Sequence, residues 1–399
     1  MKFQILLLVL LIQLTSCKHS QEEYKSSARD SYFDSVSKSW KLENLNRKKP
    51  LEIQNDFISI VDIKNPAVFN QDFRRDFEYS LIKARKIDLR NFKEMEKLWN
   101  ELHKDKIGLI DKYDAIKYGN LKNNQAAIYT DNKFNGCFED GYWIALSNDN
   151  GKNGKQYYTG LTVNKNYYFK LNSKIPLFQN SNILQVEAAK VKKTSDRVIM
   201  LSPEKFATIK DSIAIELDIS KIILDSDNDG LTNIVEERML LNPNNPDSDG
   251  DGIIDSKDKN PRFKYKKTAK SILYEALMGK YFFKDHSNYQ IDLSNLPKKD
   301  NRFAKELNSI SIFITDDNDI KSLELNDETL VIMTSKEYNA YKVKYPFSFG
   351  EKHISRMFLC DNEQNVYIVE TSECTSTRTY VIEKNDKGWD VLFLEGTDI

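Results

Sequence analysis

The chain has 399 residues, 40% hydrophobic and 30% charged, and its 59 basic and 60 acidic side chains leave a formal net charge of −1. That balance argues against a general nucleic-acid role, and the length suits two to three domains. Four cysteines, Cys17, Cys137, Cys360 and Cys374, are too few for a disulfide framework.

Lys2 precedes an apolar run from Phe3 to Leu14, interrupted by Gln4 and Gln13. The run is too short to span a bilayer and suits the h-region of a secretory signal. No later stretch reaches the ~18 consecutive apolar residues that a membrane helix needs. Leu14-Thr15-Ser16-Cys17 resembles a bacterial lipobox, which implies cleavage before Cys17 and acylation of its thiol. More than one acyl chain on Cys17 would hold the protein stably at a membrane. Lys18, where an acid would favour the inner membrane, points to the outer membrane, on its periplasmic or exposed side. The nearby Glu22-Glu23 is similar to the acidic surface-export signals of Bacteroidetes lipoproteins. The expected order is a signal peptide at 1–16 and a polar tether at 17–50 rich in Ser, Lys and Glu. With Cys17 lipidated, at most one bridge remains. Cys360–Cys374 is the favoured pair, and buried free thiols are the alternative.

Structure is expected from about Leu51. Phe69, Phe73, Phe77 and Leu81 recur every four residues, and Phe92, Met95, Trp99 and Leu102 mark a second helix with Asp88 as its N-cap. Both stripes predict core faces. Beyond Gly119 the period becomes two, with strands at Ala127–Thr130, Tyr142–Ser147, Tyr157–Val163, Tyr167–Leu171, Ile183–Val191, Val198–Leu201 and Ile213–Ile219. Asn150-Gly151 and Asn153-Gly154 mark a tight turn between two of them. Short, regularly spaced strands predict an antiparallel β-sandwich-like domain with helices beside it over 51–223.

Asp225 to Asp258 then holds ten acids and two bases, a local charge of −8, so the rest of the chain carries +7. Such self-repulsion disorders a segment unless a counter-ion is part of the fold. Asp225, Asp227 and Asp229 take positions 1, 3 and 5 of a twelve-residue loop. Gly230 takes 6, the Leu231 carbonyl 7, Asn233 9 and Glu236 12. Asp247, Asp249, Asp251, Gly252, Ile253, Asp255 and Asp258 repeat the scheme, with Asp258 shorter than the usual Glu. Hard oxygen ligands without His or Cys fit Ca²⁺. These two runs, with the breaks at Asn242-Pro243 and Asn260-Pro261, resemble the EF-hand-like, thrombospondin type-3-like calcium repeats of bacterial envelope proteins. The resemblance implies a calcium-repeat connector at 224–261 and does not extend to its flanks. Leu231, Ile253 and Ile254 are expected to turn inward, and Ile234–Leu241 to form two helical turns.

The basic stretch Arg262, Lys264, Lys266, Lys267 and Lys270 offsets the adjacent acids as a solvated linker. The expected elements of 262–399 are a helix at Thr268–Lys280 and strands at Ile310–Thr315 and Leu330–Met333. A capping box follows at Thr334–Glu337, opening a helix through Tyr341, and then a meander of Arg356–Leu359, Val366–Thr371, Thr377–Lys384 and Trp389–Leu394. This predicts a C-terminal α+β domain with an antiparallel sheet. The whole is expected to be a multidomain α+β protein.

No HExxH, GxSxG, P-loop or GxGxxG occurs, and His19, His103, His286 and His353 are scattered. Asp316-Asp317-Asn318-Asp319 and Glu139-Asp140 are expected to be turns. Two function classes follow. The favoured one is a lipid-anchored, calcium-stapled envelope protein that binds a protein or glycan partner. The other is a hydrolase of envelope or environmental polymers with structural calcium, for which a pocket of converging carboxylates would be the sign.

Overall fold

The computed structural model describes residues 56–70, 73–107, 110–131, 141–162, 167–193, 206–284, 288–299, 310–325, 328–345, 352–355, 357–359, 364–373 and 376–398. The signal, lipobox and tether, Cys137, Cys360, Cys374, Glu139-Asp140 and the strand expected at Val198–Leu201 lie outside the described residues. No described helix is long and apolar enough to cross a membrane.

The first half runs β1 (Ile58–Asp62), α1 (Phe73–Arg85), α2 (Phe92–Leu102), β2 (Lys106–Ile107), β3 (Ile110–Asp111), β4 (Lys117–Leu121), β5 (Asn124–Asp131), β6 (Gly141–Ser147), β7 (Lys155–Thr162), β8 (Tyr167–Phe169), β9 (Ile183–Lys193) and β10 (Phe206–Asp218). β4 to β7 form a four-stranded antiparallel meander, and a second antiparallel sheet has the order β1-β10-β9-β8. Asn150 and Gly151 both adopt positive φ, but the β6–β7 connection that holds them spans residues 148–154, longer than the tight turn expected. β6 is buried almost throughout rather than on alternate residues. Successive side chains point to opposite faces, and here both faces are covered. Tyr142 stacks on Phe169 of the other sheet at 4.1 Å, while Trp143 on the opposite face meets Tyr158 of β7.

The two helices depart from expectation. Phe77 and Trp99 are exposed, Phe92 is 85% exposed, and Leu98 is the buried residue of α2. The stripes were expected to form core faces, but a period of four also fits a helix lying at an edge. Trp99 instead packs on His103 and Tyr113. Asn91, not Asp88, caps α2, accepting from Glu94 N–H, because Asp88 is engaged by the Arg90 amide and guanidinium.

The chain continues through α3 (Ile219–Ile222), α4 (Asn233–Met239), α5 (Ala269–Leu277), β11 (Asn288–Asp292), β12 (Ile310–Ile314), β13 (Thr329–Met333), α6 (Ser335–Lys344), β14 (Lys352–Ile354), β15 (Phe358–Leu359), β16 (Val366–Glu373), β17 (Ser376–Asn385) and β18 (Gly388–Asp398). The capping box of Thr334 and Glu337 forms as expected, and a second closes Thr268 on Ser271 at α5. The sheet has the order β11-β18-β17-β16-β14-β12-β13, with β15 on β16.

It is mixed rather than antiparallel: β12 pairs in parallel with both β13 and β14, and α6 makes the crossover between them. The unbroken apolar runs of β12 and β13 belong to strands covered on both sides. Ile312, Ile314, Val331 and Met333 join the core of the first half, while Phe313, Leu330 and Ile332 face a second core with α5 and β16 to β18. The protein is mostly β, with several antiparallel sheets in an α+β arrangement.

Candidate metal centre

The two acidic runs fold into near-identical loops, and the repetition extends to individual hydrogen bonds. At position 1, Asp225 accepts from the amides of Asn228 and Gly230, and Asp247 from those of Gly250 and Gly252. At position 3, Asp227 and Asp249 accept from the amides of Asp229 and Asp251. At position 5, Asp229 and Asp251 accept from the amides of Leu231 and Ile253. Positive φ at Asn228 and Gly230, and again at Gly250 and Gly252, turns the backbone so that these amides point inward. The ligand oxygens within each Asp triad lie within 4.8 Å of one another. A single Ca²⁺ with oxygens at about 2.3–2.6 Å would span opposing ligands by about 5 Å.

Position 9 behaves differently from a direct ligand. Asn233 accepts from Ser226 N–H and donates to its hydroxyl, and Asp255 accepts from both the amide and the hydroxyl of Ser248. Each closes its loop onto the serine at position 2. In the sequence the repeated Asp-Ser-Asp opening is the signal of these two serines. Ser256 joins the loops, its amide donating to Asp229 Oδ2 and its hydroxyl to the Asp229 carbonyl.

Position 12 carries the sharpest electrostatic feature. Glu236 sits on α4 with 0% exposure, and neither Oε1 nor Oε2 has a hydrogen-bond partner. Burial, followed by the charges of Asp227, Asp229, Asp255 and Asp225, pushes its carboxyl up to about 8. Asp227 Oδ2 and Asp249 Oδ2 are also buried without partners. In the second loop Asp258 is pushed up to about 6, chiefly by burial and then by Asp251 and Asp249. Its Oδ1 accepts from Asn260 N–H, leaving one uncommitted oxygen where Glu236 has two. Asp247, by contrast, is lowered, first by the Gly252 amide.

Buried carboxylates without donors are costly unless a cation or proton compensates them. The donor set is all hard oxygen, so the residues present could hold one oxygen-preferring cation in each loop. Asp225, Asp227, Asp229, the Leu231 carbonyl and Glu236 would hold the first. Asp247, Asp249, Asp251, the Ile253 carbonyl and Asp258 would hold the second.

The apolar neighbours divide. Leu231 packs against the first core, but Ile253 and Ile254 are 42% and 41% exposed, contrary to expectation. The second loop sits at the surface, and its contact with the C-terminal half is polar. Asn260 Nδ2 donates to the carbonyls of Lys321 and Leu323, and Lys264 Nζ to that of Gly250. Helix α4 goes inward instead, placing Ile234, Val235 and Met239 in the first core. Arg238, overlooked as a mere counter-charge in the acidic run, is buried between the rings of Tyr158 and Tyr345, at 4.9 and 5.0 Å, and donates to the Tyr158 hydroxyl.

Of the basic stretch, Arg262 binds Glu337 and the Ile332 carbonyl, and Lys270 bridges Asp317 and Asp319. Asp316 receives the amide and hydroxyl of Ser335. His103 Nδ1 lies 2.9 Å from Asp111 and 3.7 Å from Asp114, a third group of ligating atoms that sequence spacing did not suggest. Compared with family models, curated proteins and solved structures, the chain matches none.

Proposed function

We propose that this is a lipid-anchored cell-envelope protein in which two structural Ca²⁺ ions order the segment between two folded halves. Its role is to present those halves to a protein or glycan partner. The first half is read as a β-sandwich-like domain built from its two four-stranded sheets, and 262–399 as a second, α+β domain. The observation that carries the metal reading is Glu236, whose two buried, unpartnered oxygens feel the charges of Asp225, Asp227 and Asp229 in a loop that the chain builds twice. The lipobox at Cys17 supports the anchor, and the outer membrane is the expected site. Calorimetric titration of chelator-treated protein is expected to find two Ca²⁺ per chain, with affinities of about 10⁻⁴–10⁻³ M as in other extracellular modules. No binding at millimolar calcium would remove the reading. Equal membrane association of Cys17→Ala and the wild type would remove the anchor.

A further inference from the structure

Lys170, directly after β8, has a fully buried side chain beside two carboxylates, Glu187 of β9 and Asp211 of β10. Asp211 sits where the pairing of β10 with β9 shifts register between Lys210 and Ile213, an irregularity that re-aims side chains. The segment carrying Ala67 and Phe69 covers the group.

An ammonium has three protons to donate. Lys170 Nζ donates to the Ala67 carbonyl at 2.5 Å, the Asp211 carbonyl at 2.6 Å and Glu187 Oε1 at 3.1 Å. A fourth oxygen, Asp211 Oδ1, lies 2.5 Å from Nζ but accepts no hydrogen bond of acceptable angle, and it is buried without any other partner. The nitrogen thus approaches this carboxyl group closely and off the hydrogen-bonding direction. The other oxygen, Oδ2, accepts from Phe69 N–H at 3.3 Å. Glu187 Oε1 also accepts from Ala67 N–H, which holds it in place.

We propose that Lys170 and Asp211 are joined by an amide bond that the folded chain makes for itself, with Glu187 relaying the proton. Nζ first passes a proton to Glu187 Oε1, to which it is hydrogen-bonded, and Glu187 hands it on to Asp211 Oδ1, converting the ion pair to an amine and a carboxylic acid. The amine lone pair attacks Cγ and charge collects on Oδ2, where the Phe69 amide donates. Glu187 takes a second proton from nitrogen and returns it to the Oδ1 hydroxyl, which leaves as water. The C–N bond forms in the attack, and the C–Oδ1 bond breaks afterwards as the charge on Oδ2 returns to make the carbonyl. Oδ2 becomes the amide carbonyl, Glu187 is regenerated, and no oxidant or co-reactant is consumed. Burial and fixed geometry replace the activation that such a condensation needs in water. The product ties β8 to β10 across the intervening β9.

The test is peptide mass mapping of the full chain, denatured and digested with trypsin. Cleavage is expected to fail after Lys170. The peptide containing it should be joined to the one that begins at Asp211, lighter than the two together by one water. In Asp211→Asn the same joined peptide, of identical mass, is expected, with ammonia leaving instead of water. In Glu187→Gln, checked for native fold by circular dichroism, the two peptides should be recovered separately. Full recovery of the separate peptides from the wild type would overturn the bond, whatever the variants do. A bond that forms equally in folded Glu187→Gln would overturn the proposed relay.

Discussion

Glu236 concentrates the electrostatic tension of the acidic segment. Its folded-state pKa of about 8 lies above the ordinary glutamate value of 4.5, so between the two the metal-free fold retains a proton that the unfolded chain has released. The resulting stability is fully present below about 4.5 and is lost as pH rises through about 8. Under the proposed reading calcium has to displace that proton, so its affinity for the first loop should climb between pH 5 and 8. Titrations near pH 7 in buffers of different ionisation enthalpy should register proton release on binding, and a pH-independent affinity would contradict this. Glu236→Gln keeps the shape and removes the charge. It should weaken the first site at least tenfold, or about 1.4 kcal/mol, and leave the second site titrating. Asn233→Ala should do less, since both polar atoms of the Asn233 side chain are engaged with Ser226.

At the scale of elements, the loops and α4 have different sources of stability. Gly230 and Gly252 hold φ of 106° and 97°, and an added Cβ would meet nothing closer than ordinary contact at either. Gly230→Ala therefore tests backbone strain alone, expected to cost about 1–3 kcal/mol and to appear as weaker calcium binding in the first loop. Wild-type affinity in that variant would mean the loop tolerates another conformation. Helix α4 has seven residues, too short to persist by itself. It is held by Ile234, Val235 and Met239 and by Arg238 between two tyrosines. Arg238→Ala should destabilise the protein by about 2–4 kcal/mol through lost packing and cation–π contact. Arg238→Lys should recover only part of this, because an ammonium lacks the planar face that stacks on both rings. Chemical denaturation of the three proteins would rank them. Equal midpoints for Arg238→Lys and the wild type would show that charge alone is needed.

For the whole molecule, α4 joins the halves. Its apolar residues share a core with β12, β13 and α6 as well as with the first two sheets. Under the proposed two-calcium reading, each ion at tenfold saturation would add about 1.4 kcal/mol of stability, so removing two should lower the unfolding temperature by a few degrees without unfolding the protein. Limited proteolysis in chelator should open the surface loop around Asp247–Asp258 first, where Ile253 and Ile254 are already exposed. Cleavage in α4 should come later, because its core contacts do not involve the ions. Identical digestion with and without calcium would remove the structural role assigned to the metal.

What the chain order determines without tertiary help is whatever depends on near neighbours. Both twelve-residue loops, the Asn150-Gly151 turn and the Thr334–Glu337 capping box need residues only a few positions apart. So do most strands, whose period of two is local, and their existence could be read directly. Sheet partners could not. β12 and β13 read as apolar runs in any sheet, and whether they pair in parallel depends on the path of α6 and on two cores meeting across them. The aromatic stripes of α1 and α2 fix a helix face but not what covers it. Arg238 shows the same limit most plainly. Within Asp225–Asp258 it is one base among ten acids, and only the folded chain brings Tyr158 and Tyr345, eighty residues before and over a hundred after, to either side of it. Lys170, Glu187 and Asp211 are likewise ordinary charges far apart in the chain until sheet pairing brings them together, burying the Lys170 and Glu187 side chains completely or nearly so and Asp211 in part.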